Sequence, residues 1–239
     1  MKITLPDNSY RELPDGSSGY DLAKSIGPGL AKSAVAVTIN GEQKDLHDPI
    51  NEDSSVSIIT IDSEEGLEIM RHTLTAQVLA RAVKNLYPKS KLAIGPTIED
   101  GFYYDVETEV AISADDLEKI EAEMKTIIKT KSSITKKLVT KSEALKVFKS
   151  KNEPYKEIII DESDQKDNFQ LYFQDHEEFV DLCRGPHLPS LGFIGAFKLT
   201  KISGAYWKGD SKNAMLTRIY GTAWNNDCLL YTSDAADES

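Results

Sequence analysis

Leu67, Met70, Leu74, Val78, Ala82 and Leu86 recur at spacings of three and four, and Pro88 ends the pattern. That periodicity predicts one long amphipathic helix over Leu67–Tyr87, with an apolar stripe that must be covered. The chain beyond Pro88 supplies a cover. Leu92–Ile94 and Phe102–Val106 flank Gly95-Pro96 and Asp100-Gly101, a hairpin with a wide loop. Ser113 followed by Asp116 starts a helix running to about Lys129, with Leu117, Ile120, Met124 and Ile127 inward. Short strands are expected at Ile134–Val139, Lys156–Ile160, Phe169–Phe173, Phe197–Ile202 and Met215–Tyr220. The expected fold is α+β, with a long helix packed on a mostly antiparallel sheet.

Residues 1–62 read as a separate small unit. Lys2–Leu5 alternates and ends at Pro6-Asp7-Asn8-Ser9, and a second short strand spans Tyr10–Leu13. Tyr20–Ile26 fits a helix closed by Gly27-Pro28-Gly29. Ala34–Ile39 alternates, Asn40-Gly41 is a hairpin turn signal, Glu42–Leu46 returns, and Val56–Ile61 is a last strand. A helix on a small mixed sheet is the β-grasp pattern, and this unit carries no nucleophile or acid/base set. Residues 63–67 form a polar link to a second domain at 68–227.

The formal charge of −11 argues against nonspecific coating of nucleic acid, but the charge is segregated. Ten acidic residues lie between Glu99 and Glu123, and ten lysines between Lys125 and Lys156. The second stretch is either a solvated face or a local phosphate-facing surface. No run of 18 apolar residues and no signal-peptide core occurs, so no membrane association is expected. Two cysteines, Cys183 and Cys228, cannot build a disulfide framework, which suits a reducing cytoplasm.

Chemistry concentrates in Asp181-Leu182-Cys183-Arg184-Gly185-Pro186-His187, where a thiol and an imidazole sit four positions apart beside a carboxylate and a guanidinium. Gly185-Pro186 prevents a regular helix between them. Taken alone the heptad reads more readily as a buried Cys beside a surface His than as a pocket loop. Further motifs accompany it: Ala93-Ile94-Gly95-Pro96, Asp100-Gly101-Phe102-Tyr103-Tyr104-Asp105, Ser203-Gly204-Ala205-Tyr206-Trp207-Lys208-Gly209-Asp210 and Tyr220-Gly221-Thr222-Ala223-Trp224.

Together, behind a β-grasp unit, these segments resemble the N-terminal half of threonyl-tRNA synthetases over residues 1 to about 226. The resemblance implies a TGS domain followed by the editing domain shared with alanyl-tRNA synthetases. It implies hydrolysis of serine mischarged onto tRNA(Thr), because a missing methyl alone gives roughly 10–200-fold discrimination. It places Tyr104, Lys156, Asp181, Cys183 and His187 in the site, with a histidine pair from the long helix. Lys156 is expected to stabilise an oxyanion or hold the terminal ribose, though alone it reads as a surface lysine. Asp181 is expected to hold the substrate ammonium, the alternative being a pair with Arg184. His187 suits a base or water-positioning group. Cys183 is favoured as a pocket wall over a nucleophile, and Tyr104 alone reads as core.

The helix departs from the family pattern of His, three residues, His. Its paired positions fall on Thr73 and Gln77, and the nearby imidazole is His72, one residue early. In a regular helix His72 lies about 100° from Thr73 and about 140° from Gln77. Either a one-residue insertion within Arg71–Thr75 is absorbed as a π-bulge that returns His72 to the pocket, or the pair is lost. The expected set is thus His72, Lys156, Cys183 and His187 as catalytic residues, with Thr73, Gln77, Tyr104 and Asp181 on the substrate. His72, Cys183 and His187 offer three zinc ligands, as in related alanine-type editing domains, but Gln77 in place of a second His argues against a metal.

The resemblance also implies a tRNA(Thr) partner and a homodimer formed through a catalytic domain that is absent, so this chain is expected to be monomeric. ATP, magnesium and an aminoacylation zinc belong to that missing domain, and no cofactor is expected here. Residues 228–239 resemble translated adapter sequence and are expected to be a non-native tail. The other functions left open are a tRNA-binding module whose editing has decayed and a free-standing trans-editing hydrolase.

Overall fold

A computed structural model describes residues 1–174 and 179–226. The tail expected at 228–239 lies outside the described residues.

The N-terminal unit forms β1 (Lys2–Thr4), β2 (Tyr10–Glu12), α1 (Gly19–Ile26), α2 (Pro28–Ser33), β3 (Ala34–Ile39), β4 (Glu42–Asp45) and β5 (Ser54–Thr60). Ser18 and Asp21 cap α1 reciprocally, which fixes where the helix starts. Its sheet runs β2-β1-β5-β3-β4, with β1 and β5 parallel and the other pairs antiparallel. Asn40 and Gly41 both take positive φ (50° and 86°), as the tight hairpin turn between β3 and β4 requires. The unit is therefore the mixed, helix-backed sheet expected from its sequence.

Two details differ from expectation. Gly27-Pro28-Gly29 does not simply end a helix, because Pro28 opens α2 at its first position. The alternation expected in β3 is also absent in burial. Val37 and Ile39 pack with Leu22 and Ile3 under α1, whereas Val35 and Ala36 join Ile69, Met70 and Leu74 of the second domain. The sheet is buried on both faces because it is sandwiched between its own helix and the next domain.

The second domain forms α3 (Glu64–Thr73), a π-helical turn (Leu74–Leu79), α4 (Ala80–Leu86), β6 (Lys91–Leu92), β7 (Thr97–Ile98), β8 (Gly101–Glu107) and α5 (Leu117–Lys129). It continues through β9 (Ile134–Val139), α6 (Lys141–Ser150), α7 (Pro154–Glu162), β10 (Phe169–Gln174), β11 (Phe179–Leu182), β12 (Ala196–Tyr206) and β13 (Met215–Trp224). One antiparallel sheet runs β12-β13-β8-β6, with β7 paired to β8, and a second runs β11-β10-β9. Met70, Leu74, Val78 and Val83 of the helical run meet Phe102, Val106 and Ile219 of the first sheet and Ile120 and Met124 of α5. The stripe read from the sequence is thus the centre of the core.

The expected link at 63–67 is largely helix. Ser63 caps α3 by accepting from the Gly66 N–H, and Glu64 and Glu65 sit favourably in the first turn. The strand expected at Lys156–Ile160 is helix α7, started by Pro154. Its three consecutive isoleucines suggested β structure, but burial of Tyr155, Lys156 and Ile160 follows a helical spacing. Helix α6, capped reciprocally by Thr140 and Glu143, escaped the sequence reading although its capping signature is plain. The lysine-rich stretch is not one free surface: Lys136, Lys141 and Lys156 all hold internal partners.

Candidate active site

The helical run reaches the site through its irregular middle. The π-helical turn begins at Leu74, inside the segment where an extra residue was expected. A π-turn takes up that residue without breaking the helix. As a result His72 and Thr73, adjacent in sequence, both contact the Cys183–His187 loop. His72 Nε2 lies 2.6 Å from Cys183 Sγ. The His72 and His187 rings stack, with centroids 4.6 Å apart and planes 15° from parallel.

The loop itself is fixed by its neighbours. Asp181 lies in β11 opposite Tyr172, and the Cys183 N–H extends the pairing by donating to the Gln170 carbonyl (3.3 Å). Gly185 has φ of 64°, and a Cβ there would meet the Tyr172 hydroxyl at 2.0 Å, so only glycine fits. The Leu188 N–H donates to Thr73 Oγ1 (3.0 Å), and the same oxygen lies 3.1 Å from His187 Nδ1. Thr73 thereby fixes the C-terminal end of the turn, and His187 Nε2 is buried with no hydrogen-bond partner.

Burial lowers the pKa of both imidazoles, against the opposing pull of Asp181 and Asp45 on His72 and of Cys183 and Asp45 on His187. Both rings are therefore neutral at pH 7, the form that accepts a proton or orients water.

A second buried group stands beside the first. Lys156 Nζ and Asp181 Oδ1 are 2.6 Å apart, with side chains 3 % and 1 % exposed. The Tyr104 hydroxyl donates to Asp181 Oδ2 (3.2 Å), and the Leu182 N–H donates to Oδ1 (2.8 Å). Burial and the Asp181 charge raise the Tyr104 pKa far up, so the phenol remains a donor. Gly95 lets the Ala93–Pro96 segment lie against the Tyr104 ring, where a Cβ would come within 2.2 Å.

These contacts remove two alternatives and relocate one residue. Lys156 is not a surface lysine. Asp181 pairs with Lys156 rather than Arg184, which is exposed, so its charge is already met. Gln77 hydrogen-bonds to Gln174 rather than to the thiol–imidazole cluster: its Oε1 and backbone carbonyl both accept from Gln174 Nε2, at 2.8 and 2.7 Å, while its own Nε2 is buried with no hydrogen-bond partner. The structure thus gathers His72, Thr73, Cys183 and His187 in one group and Tyr104, Lys156 and Asp181 in a neighbouring one, and it sets Gln77 apart.

The donor atoms of His72, Cys183 and His187 lie within 4.8 Å of one another, a set chemically suited to zinc. The 2.6 Å contact is shorter than the roughly 3.5 Å between ligand atoms on a tetrahedral zinc with bonds of about 2.0 and 2.3 Å.

Sequence reasoning missed three contributors. Tyr172 packs edge-on against His187 with centroids 4.3 Å apart. Glu153 accepts from the Leu92 N–H and pairs with Lys84, both at 2.7 Å, which anchors the start of α7 and hence Lys156. Asp45, from the other domain, accepts from the His187 N–H (2.8 Å). Nothing in the sequence near Asp45 signals that contact, because it depends on how the domains meet.

Residues 1–60 match the family model of the TGS domain, and residues 170–220 match that of the threonyl and alanyl tRNA synthetase second additional domain. The second match contains Asp181, Cys183 and His187 and stops short of the helix that carries His72. No helix among the described residues is long and apolar enough to cross a membrane. The two matches together make the N-terminal domain pair typical of threonyl-tRNA synthetase, which supports an N-terminal part of the aminoacyl-tRNA synthetase editing and tRNA-binding type.

Proposed function

We propose that this chain hydrolyses the ester of serine mischarged onto tRNA(Thr). The observation that carries the reading is the half-buried thiol–imidazole cluster of His72, Cys183 and the buried His187, whose Nε2 has no hydrogen-bond partner. An aminoacyl ester is activated, so a positioned water suffices. In this reading His187 Nε2, with the Nδ1 proton donated to Thr73, orients that water and takes its proton as it adds to the carbonyl. His72 holds the Cys183 thiol as a wall of the pocket. In this reading the neighbouring Lys156 ammonium, held by Asp181, steadies the developing oxyanion. No step is routed through a metal. ATP, magnesium and zinc belong, by resemblance, to a charging domain outside these residues, and a cytoplasmic location is part of the same proposal.

Release of serine from pre-charged seryl-tRNA(Thr) tests it. The chain should release serine above the buffer rate, and Cys183→Ala and His187→Ala should each slow release, His187→Ala by about 100-fold. No release by the folded chain would overturn the reading.

One observation favours a second reading, a tRNA-binding module that no longer edits: Gln77, at the second-histidine position, is turned to Gln174. Thr73→His with Gln77→His discriminates. The pair should raise hydrolysis if activity has decayed. It should lower hydrolysis if His72 already serves, because Thr73 holds His187.

A further inference from the structure

The N-terminal domain reaches into the site of its neighbour. Asp45 is the last residue of β4, and its two carboxylate oxygens make three contacts, all across the domain boundary. Oδ1 accepts from the His187 N–H (2.8 Å). Oδ2 lies 2.8 Å from both the Tyr172 hydroxyl and Lys136 Nζ. Tyr172 in turn packs against the His187 ring. One carboxylate thus fixes the backbone of His187 directly and one side of its imidazole through the tyrosine.

We propose that Asp45 is a positioning residue of the hydrolytic site, supplied by the β-grasp domain to orient His187. This inference rests on the hydrolytic reading above. Several observations separate it from simple domain docking. The docking charge is duplicated, since Asp48 Oδ2 also pairs with Lys136 at 2.5 Å, whereas the hold on the His187 N–H is made by Asp45. Thr73 fixes His187 from one side and Asp45 from the other, so the ring is set between a side-chain and a backbone anchor. Asp45, Lys136, Tyr172 and His187 also wall a cavity of about 480 Å³ between the domains. A base held within a fraction of an ångström loses rate when its support is removed, even where substrate still binds.

The experiment measures steady-state hydrolysis of seryl-tRNA(Thr) by the full chain and its variants. Asp45→Ala should lower kcat by roughly 10- to 100-fold, the range a misplaced group costs, with KM changed less than about twofold. Asp45→Asn keeps an acceptor for the His187 N–H and should stay within about threefold of the parent. Asp48→Ala weakens the Lys136 pair without touching His187 and should leave kcat nearly unchanged. An Asp45→Ala kcat within about twofold of the parent would overturn the proposal, as would an equal loss in Asp48→Ala. A loss confined to KM would do the same. If the parent itself releases no serine, the hydrolytic reading has failed, and amide hydrogen exchange of His187 still decides whether Asp45 holds it. Exchange should be faster by about tenfold in Asp45→Ala and unchanged in Asp48→Ala, and unaltered exchange in Asp45→Ala overturns the hold.

Discussion

The two domains bury different things. The β-grasp core is Ile3, Leu22, Ala23, Ala34, Val37, Ile39, Leu46, Ile50 and Val56, and Ser54 is the one buried polar side chain among its described residues. The second domain buries Arg71, Thr73, Thr75, Gln77, Asp105, Glu153, Lys156, Gln174, Asp181 and His187, among others. Each such group costs free energy unless a partner meets it. A fold that needs only cohesion has no reason to bury so many, and the first domain shows that this chain can fold without them. The difference teaches that chemistry belongs to the second domain, and that the first contributes a platform and one carboxylate.

The sharpest way to break the comparison is to unbalance the buried pair. Lys156→Met leaves the Asp181 carboxylate buried and unpaired and should cost about 3–5 kcal/mol of stability in urea unfolding. Adding Asp181→Leu should recover most of it. If Lys156→Met is as stable as the parent, the pair is not the buried one described.

The matching substitution in the other core is Leu22→Ala, which should cost about 2–5 kcal/mol. Under conditions where the variant remains folded, its rate of serine release should stay at the parent value. A fall in rate with the domain intact would erase the contrast between platform and site.

Thr73→Val removes the hydroxyl shared by His187 Nδ1 and the Leu188 N–H. It should cost about 1–3 kcal/mol, and it should slow hydrolysis more than it destabilises. An unchanged rate would detach Thr73 from the site.

Acid should expose the same contrast more gently. Burial lowers the pKa of His72 and His187 in the folded state, while in the unfolded chain each sits near 6.5. Above about pH 6.5 both states hold neutral rings and the native stability is complete. As pH falls below that value the unfolded chain takes up protons the folded chain refuses, so stability drops until the lowered folded values are reached. The urea midpoint should therefore fall as pH drops below about 6.5, and fall less in the His72→Gln, His187→Gln double variant. Equal slopes in both proteins would contradict neutral buried imidazoles.

Much of the fold is legible in the sequence because it is local. The Leu67–Leu86 stripe, the Asn40-Gly41 turn and the Ser113–Asp116 cap each act within a few residues, and each formed the element expected. Lys156–Ile160 misled because Ile158, Ile159 and Ile160 favour a strand when isolated, whereas Pro154 and packing against β10 and β11 impose a helix. The cluster at Cys183 and His187 is visible as a motif, and the π-turn as one of two ways to place His72. The Lys156–Asp181 pair and Asp45 are not, because 24 and more residues of intervening chain must fold before those groups meet.

The most direct test of the central claim is single-turnover decay of seryl-tRNA(Thr) beside threonyl-tRNA(Thr) under identical conditions. A hydrolytic site built to exclude one methyl predicts seryl ester loss well above buffer and faster than threonyl loss by at least about tenfold. Decay of both esters at the buffer rate, or at equal enhanced rates, would contradict it.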